Sequence, residues 1–238
     1  MEKKGRETRR RLLWAAEKLF AERGYETTSI RQITIEADAN IAAVHYHFGG
    51  KKEILEALFT ERILPIEQER LERLDKLEQS NKTPSVEDII LTFLTPLFLR
   101  ESDTEHFATG SPKLIRQLLD ERPSDLKVPE QFKTFRQSMG RYLQAFHRAL
   151  PHLTLADLLL RLRLLVNVIS EQNSILKGMP LPNGDIFHID LSKEQYLHTL
   201  VTFLAAGFRA SSTLPLLTDF PADVLPPKAK NNTLPSNQ

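Results

Sequence analysis

The stretch that decides the fold is TTSIRQITIEADANIAAVHYHFGGKKEIL, Thr27–Leu55. It reads as two short helices around a tight turn, followed at once by the start of a longer helix. Ser29 and Gln32 stand at the capping-box spacing, where a hydroxyl accepts a free helix amide and the glutamine returns a bond to the cap backbone. Ile30, Ile33 and Ala37 then supply one apolar stripe at helical spacing. ADAN breaks the pattern. Asp38 accepts a left-handed backbone better than most non-glycine residues, and Asn40 is a favourable N-cap for a second helix. That helix, Ile41 to about Phe48, is expected to turn Ile41, Val44 and Phe48 inward, leaving Ala42, Ala43 and His45 for other surfaces. Gly49-Gly50 ends it, and Lys51 opens the helix that leads away.

Three chemistries compete for this segment. A metal site is disfavoured because His45 and His47, two residues apart on a helix, point about 200° apart around its axis. A phosphate loop is disfavoured because FGGKKE lacks the G-x-x-x-x-G-K-[ST] spacing and follows a helix where that loop needs a strand. A DNA-reading helix-turn-helix uses every part: its second helix enters the major groove, and small residues such as Ala42 and Ala43 let the backbone approach base edges. Tyr46 and His47 can donate to phosphates, and Lys51 adds a positive charge at a helix start whose free amides already favour an anion. A plain helical hairpin would explain the apolar residues but not the exposed His/Tyr/Lys cluster.

Working outward, Leu12, Ala16, Leu19 and Phe20 mark an amphipathic helix that stops at Gly24. Ahead of them, Lys3, Lys4, Arg6, Arg9, Arg10 and Arg11 face only Glu2 and Glu7, a solvated helix end or a phosphate-contacting arm. After Lys51 a long helix is expected to reach roughly Gln79, bent at Pro65. Segments near 86–101, 112–121, 130–150, 154–178 and 192–210 also have helical periodicity. NGDIFHID, from Asn183, is the nearest thing to a hairpin and lacks a partner strand. The expected fold class is all-α: a helix-turn-helix head over residues 1–50, a larger helical bundle over 51–210, and a proline-rich tail over 211–238.

The bulk numbers are those of an ordinary globular protein. With 238 residues the chain can bury a real core. No cysteine is present, which excludes disulfides, thiolate metal sites and cysteine nucleophiles. A net charge of +1 gives no bulk attraction to nucleic acid, so any such binding must be local. The longest apolar runs are interrupted by Arg161, Arg163 and Asn167, so no membrane span is expected. The charged N-terminus is unlike a secretory signal, and a cytoplasmic location is expected. His106, His147, His152, His188 and His198 have no motif around them. We therefore expect no enzyme, no cofactor and no metal.

TTSIRQITIEADANIAAVHYHFGGKKEILEAL resembles the DNA-binding segment of the TetR family of transcriptional repressors, over roughly residues 8–62. Asp38 stands where that family usually has glycine, and His45 where its members often carry asparagine or tyrosine. The resemblance implies a homodimer whose two heads read the half-sites of a near-palindromic double-stranded DNA operator, with an effector-binding helical C-terminal domain. By position it places Thr28, Ser29, Tyr46, His47 and Lys51 at phosphates, and Arg31, Asn40, Ala42, Ala43 and His45 at or beside base edges. The alternative class is a helical adaptor or ligand-binding protein without sequence-specific DNA binding.

Farther along, ERILPIEQERLERLDKLEQ and LPHLTLADLLLRLRLLVNVI resemble the fatty-acid-responsive PsrA-like branch of the family. That resemblance implies a small hydrophobic effector, such as a long-chain fatty acid or acyl-CoA, that releases DNA. Phe93, Leu97, Phe98, Phe135 and Phe146 are candidate pocket residues. Arg116, Arg136 and His147 are candidates for holding an acyl head group. Helix 154–178 is apolar nearly all round, with Leu158, Leu162, Leu165 and Ile169 on one side and Leu159 and Val166 on another. Helix 192–210 carries Ala205, Ala206 and Gly207, which allow close approach. These two helices are expected to pair with their symmetry mates in a four-helix dimer interface.

Overall fold

The computed structural model describes residues 2–80, 83–98, 113–117, 131–170, 179–180, 182–187 and 191–212. Helix α1, Glu2–Arg23, stops at Gly24, whose φ of +96° is the left-handed state glycine adopts without penalty. Helix α2, Ile30–Glu36, begins on a complete Ser29/Gln32 capping box. Asp38 then turns the chain with a φ of +46°. Helix α3, Ile41–His47, is capped by Asn40, whose side-chain oxygen accepts the Ala43 amide at 2.8 Å.

These three helices fold over one apolar cluster. Leu12, Leu13, Ala16, Leu19 and Phe20 of α1 meet Ile33 of α2 and its C-cap Ala37, Val44 of α3, and Ile54, Leu55 and Leu58 of helix α4, Lys51–Leu58. A boundary at residue 50 therefore cuts through packed side chains of the head. One inward expectation is corrected: Ile41 is 48% exposed. Val44, with the half-buried Ala43 and His47, centres the inward face on another side of so short a helix.

The connection to the larger domain is helical without a break from Lys51 to Glu78, as expected, and runs as α4, a π-helical segment over Phe59–Ile63, and helix α5, Leu64–Glu78. Pro65 has no amide to give, and in a regular α-helix its ring would press on the carbonyl of Glu61. The chain widens instead, and the Leu64 amide reaches back five residues to the carbonyl of Phe59. The segment stays anchored to the head: Phe59 and Ile63 join its apolar cluster. Glu61 pairs with Arg9 and Arg62 with Glu17, both on α1.

The larger domain packs α5 with α6 (Val86–Phe98), α7 (Gln131–Ala149), α8 (Leu155–Ser170) and α9 (Lys193–Arg209). Residues 113–117 add one helical turn, whose Leu114 is buried in the head's cluster. The expected helical stretches at 99–101, 118–121, 130 and 171–178, and the tail beyond Ser212, lie outside the described residues. Ile89, Phe93, Tyr142, Phe146, Leu158, Leu165, Leu204 and Phe208 are at the centre of the bundle's core. Helix α8 opens on a second box: the Asp157 carboxylate accepts the Thr154 amide at 3.1 Å and hydroxyl at 2.5 Å. It also accepts the Ser212 hydroxyl at 2.7 Å, which ties the end of α9 to the start of α8. These bonds, led by the one from Thr154, hold the Asp157 carboxyl below the ordinary aspartate range.

Two further expectations change. NGDIFHID does have a partner: Ile186–Phe187 pairs antiparallel with Met179–Pro180, closing a two-residue ribbon around Gly184. On α8, Leu159 and Val166 pack against the core, and the outward apolar residues are Leu160 and Leu164, 46% and 52% exposed. On α9, Ala205 is buried, whereas Phe203, Ala206 and Gly207 face outward. Among the described residues no helix is long and apolar enough to cross a membrane.

Candidate nucleic-acid interface and effector cavity

The outward face of α3 carries Ile41, Ala42, His45 and Tyr46, one contiguous stripe at i, i+1, i+4 and i+5. Tyr46 is 85% exposed, and its ring meets that of His47 edge-on at 4.9 Å. An exposed aromatic hydroxyl beside a small-faced helix is the shape that a groove-entering helix requires. His45 is also exposed, and its Nδ1 lies 2.8 Å from the Gly49 carbonyl. That bond orients the ring and leaves Nε2 turned outward, while closing the C-terminal end of α3. Ser29 and Arg31 stand exposed at the start of α2.

Four of the expected DNA-facing residues have inward duties. Thr28 is buried, and its hydroxyl donates to the Gly24 carbonyl at 2.6 Å. It braces the end of α1, and its side chain does not face the surface where the family resemblance puts a phosphate contact. Lys51 donates to the Tyr25 carbonyl at 3.0 Å, and its ammonium lies 4.3 Å from the centre of the Tyr25 ring. That anchors α4 to the loop after α1 and leaves an ammonium proton free for an outside acceptor. Asn40 spends its oxygen on the cap and keeps its amide donors. Ala43 is half-buried against the head's core. Among the described residues no group of three or more histidines or carboxylates could hold a metal ion.

A second site lies where the connecting helix meets the bundle. Ile63, Ile66, Glu67 and Arg70, from the π segment and α5, form one wall of a cavity. Phe93, Leu97, Ile115, Phe135, Met139, Val166 and Ile169 complete it. Its empty volume is about 340 Å³, the open solvent at its mouth included. Nearly all of the lining is apolar. The exceptions are Glu67 and Arg70, 1% and 3% exposed, which pair at 2.6 Å.

Arg70 is held through Nε, Nη1 and its guanidinium face. Its Nε donates to the Phe93 carbonyl at 2.9 Å, and its guanidinium stacks 3.7 Å from the centre of the Phe93 ring. The Tyr142 hydroxyl donates to the Arg70 carbonyl at 3.1 Å. Burial pushes the Tyr142 phenol up to about 12, so it remains a neutral donor there.

Of the effector candidates, Phe93, Leu97 and Phe135 line the cavity and the rest do not. Phe146 is fully buried and stacks on Phe208 at 4.4 Å, core against core. Phe98 meets Tyr196 at 5.8 Å. Arg136 and His147 are exposed on α7, and Arg116 is half-buried beside the lining residue Ile115. The polar pair that does line the cavity was missed. Its signal was present: Ile63, Ile66, Glu67, Arg70 and Leu74 form one helical stripe, with an acid and a base at core positions.

Residues 12–58 match the family of bacterial regulatory proteins, tetR family, and residues 92–207 match a tetracyclin repressor-like C-terminal domain. The second match does not single out the fatty-acid-responsive branch. The chain is 32% identical over 146 residues to the HTH-type transcriptional regulator SrpR of Pseudomonas putida, an alignment that takes in 61% of each chain. The alignment thus spans somewhat less than two thirds of that relative. In fold the chain is similar to a linker-substituted HlyIIR mutant, at a TM-score of 0.52 and 18% identity, covering 88% of this chain and 100% of that one. It is likewise similar to KstR2, a ketosteroid transcriptional regulator of Mycobacterium tuberculosis (TM-score 0.50, 17% identity, 84% and 93% covered). These regulators share an all-α plan of a helix-turn-helix head on a larger helical domain. The chain belongs to the TetR family of transcriptional regulators.

Proposed function

We propose that this protein is a ligand-responsive transcriptional repressor that binds a near-palindromic DNA operator as a homodimer. An apolar effector in the bundle cavity releases it. The observation that carries this reading is the double membership of Ile63. It is buried in the head's apolar cluster and also lines the cavity. A ligand seated against Ile63, Ile66 and Phe93 touches the segment that Glu61 and Arg62 tie to α1. Ligand must bind the DNA-incompetent arrangement more tightly, or the equilibrium does not move.

In the dimer, Leu160 and Leu164 of α8 and Phe203 and Gly207 of α9 meet their symmetry mates. A leucine pair and a phenylalanine left outward on adjacent helices would bury their apolar surface that way. The two α3 helices would then lie about one turn of DNA apart, ~34–36 Å. Base reading falls to Arg31, Ala42 and His45, with phosphate contacts from Ser29, Tyr46, His47 and the free proton of Lys51.

The apolar lining suits a hydrocarbon body, and the fatty acid and CoA ester expected from the sequence are tried beside a neutral apolar molecule such as para-butylphenol. The test is fluorescence anisotropy of the protein on DNA from upstream of its own gene, with and without each of them. Tight, salt-sensitive binding that an added effector abolishes is the expected result. Absence of binding at low salt would sink the repressor reading in favour of a helical adaptor.

A further inference from the structure

The cavity holds one polar atom that nothing satisfies. Glu67 spends Oε1 on Arg70 at 2.6 Å, while its Oε2 is buried with no hydrogen-bond partner among the described residues. A buried carboxylate oxygen left bare costs more than most single contacts return. It sits in the lining of the cavity, among phenylalanine, isoleucine, leucine and methionine side chains.

We infer that Glu67 Oε2 is the polar anchor of the effector site, and that it selects a neutral apolar molecule bearing one hydrogen-bond donor, a phenol or an alcohol. This rests on the cavity being the effector site, as proposed above. The charge balance chooses among donors. Glu67 and Arg70 already neutralise each other, so a neutral hydroxyl completes the carboxylate's bonds and adds no net charge. An ammonium would leave one uncompensated positive charge in an apolar cavity. A carboxylate would bring a second buried anion beside Glu67, with only the Nη2 donors of Arg70 left to meet it, since Nε and Nη1 are spent on Phe93 and Glu67. The anchor also stands on α5, one turn past the π segment, so the bond forms on the element that joins the two domains.

The experiment is isothermal titration calorimetry of the full chain with four probes of equal apolar body: para-butylphenol, para-butylanisole, para-butylbenzylamine and para-butylbenzoate. The phenol should bind at least about tenfold tighter than its methyl ether, with the amine and the benzoate weaker still. Equal affinity of phenol and ether, tightest binding by either charged probe, or no binding by any of the four overturns the inference. Glu67→Gln gives an independent reading: the amide oxygen takes the Arg70 bond, the amide N–H faces the cavity, and preference shifts from phenol to ether. Should that variant fail to fold, the native protein's ranking decides alone. Operator binding without ligand is measured in parallel. Its loss would sink the repressor reading while leaving the ranking intact, and a failed ranking with intact operator binding would sink only the donor selectivity.

Discussion

The head and the bundle are built on different ranges of chemistry. In the head, the decisive bonds link residues three or four apart: Ser29 with Gln32, Asn40 with Ala43, Thr28 with Gly24, His45 with Gly49. In the bundle, the cavity draws residues from Ile63 to Ile169, more than a hundred positions apart. Its one ion pair is local, Glu67 with Arg70, but the Phe93 carbonyl and ring that hold it come from another helix. A reading surface made of neighbours can be specified in a short motif. A binding cavity made of distant parts can change its ligand by single substitutions anywhere in six elements.

That contrast can be broken most severely at Glu67. Replacing it with alanine leaves the Arg70 guanidinium buried and unpaired, which should cost about 3–5 kcal/mol of folding stability by denaturant titration. Replacing both residues with methionine should recover most of that loss. If both variants were equally unstable, the pair would be part of the core's shape and not a compensated charge.

A smaller effect is expected at the head's cap. Ser29→Ala removes one half of the capping box and should cost about 1 kcal/mol, together with a loss of DNA affinity, because α2 supports the turn that aims α3. The smallest stability change belongs to Tyr46→Ala. With 85% of Tyr46 exposed, stability should stay within about 0.5 kcal/mol while anisotropy shows weakened DNA binding. A stability loss at Tyr46 as large as at Ser29 would mean that α3 is braced by the ring it shows to solvent.

The same difference in range explains what could be read beforehand. Both caps, the left-handed Asp38 and the Gly24 stop were legible because each depends on a residue type at one backbone position. The inward bond of Thr28 was not legible because family position names a place along the chain, and only the folded end of α1 shows which carbonyl its hydroxyl meets. The cavity's aromatic wall was half legible: Phe93, Leu97 and Phe135 were singled out. Periodicity marks a phenylalanine as inward but cannot say whether it lines a space or fills one, as Phe146 does. Glu67 and Arg70 were passed over because charges in an amphipathic helix are ordinarily assigned to the solvated side. Leu159 and Leu160 differ by one position on α8, and only the neighbouring helices decide which of the two is covered.

The π segment over Phe59–Ile63 has a consequence for how this lineage of regulators can vary. A residue deleted there, on the solvent side at Thr60, would let the helix close into ordinary α-geometry with its two flanks nearly in phase, yet the closed turn would press the Pro65 ring onto the carbonyl four residues back. Length in this segment is therefore far less free to drift than composition. Single-residue insertions and deletions should be rarer here than in the loops on either side, while the identities of the outward residues vary.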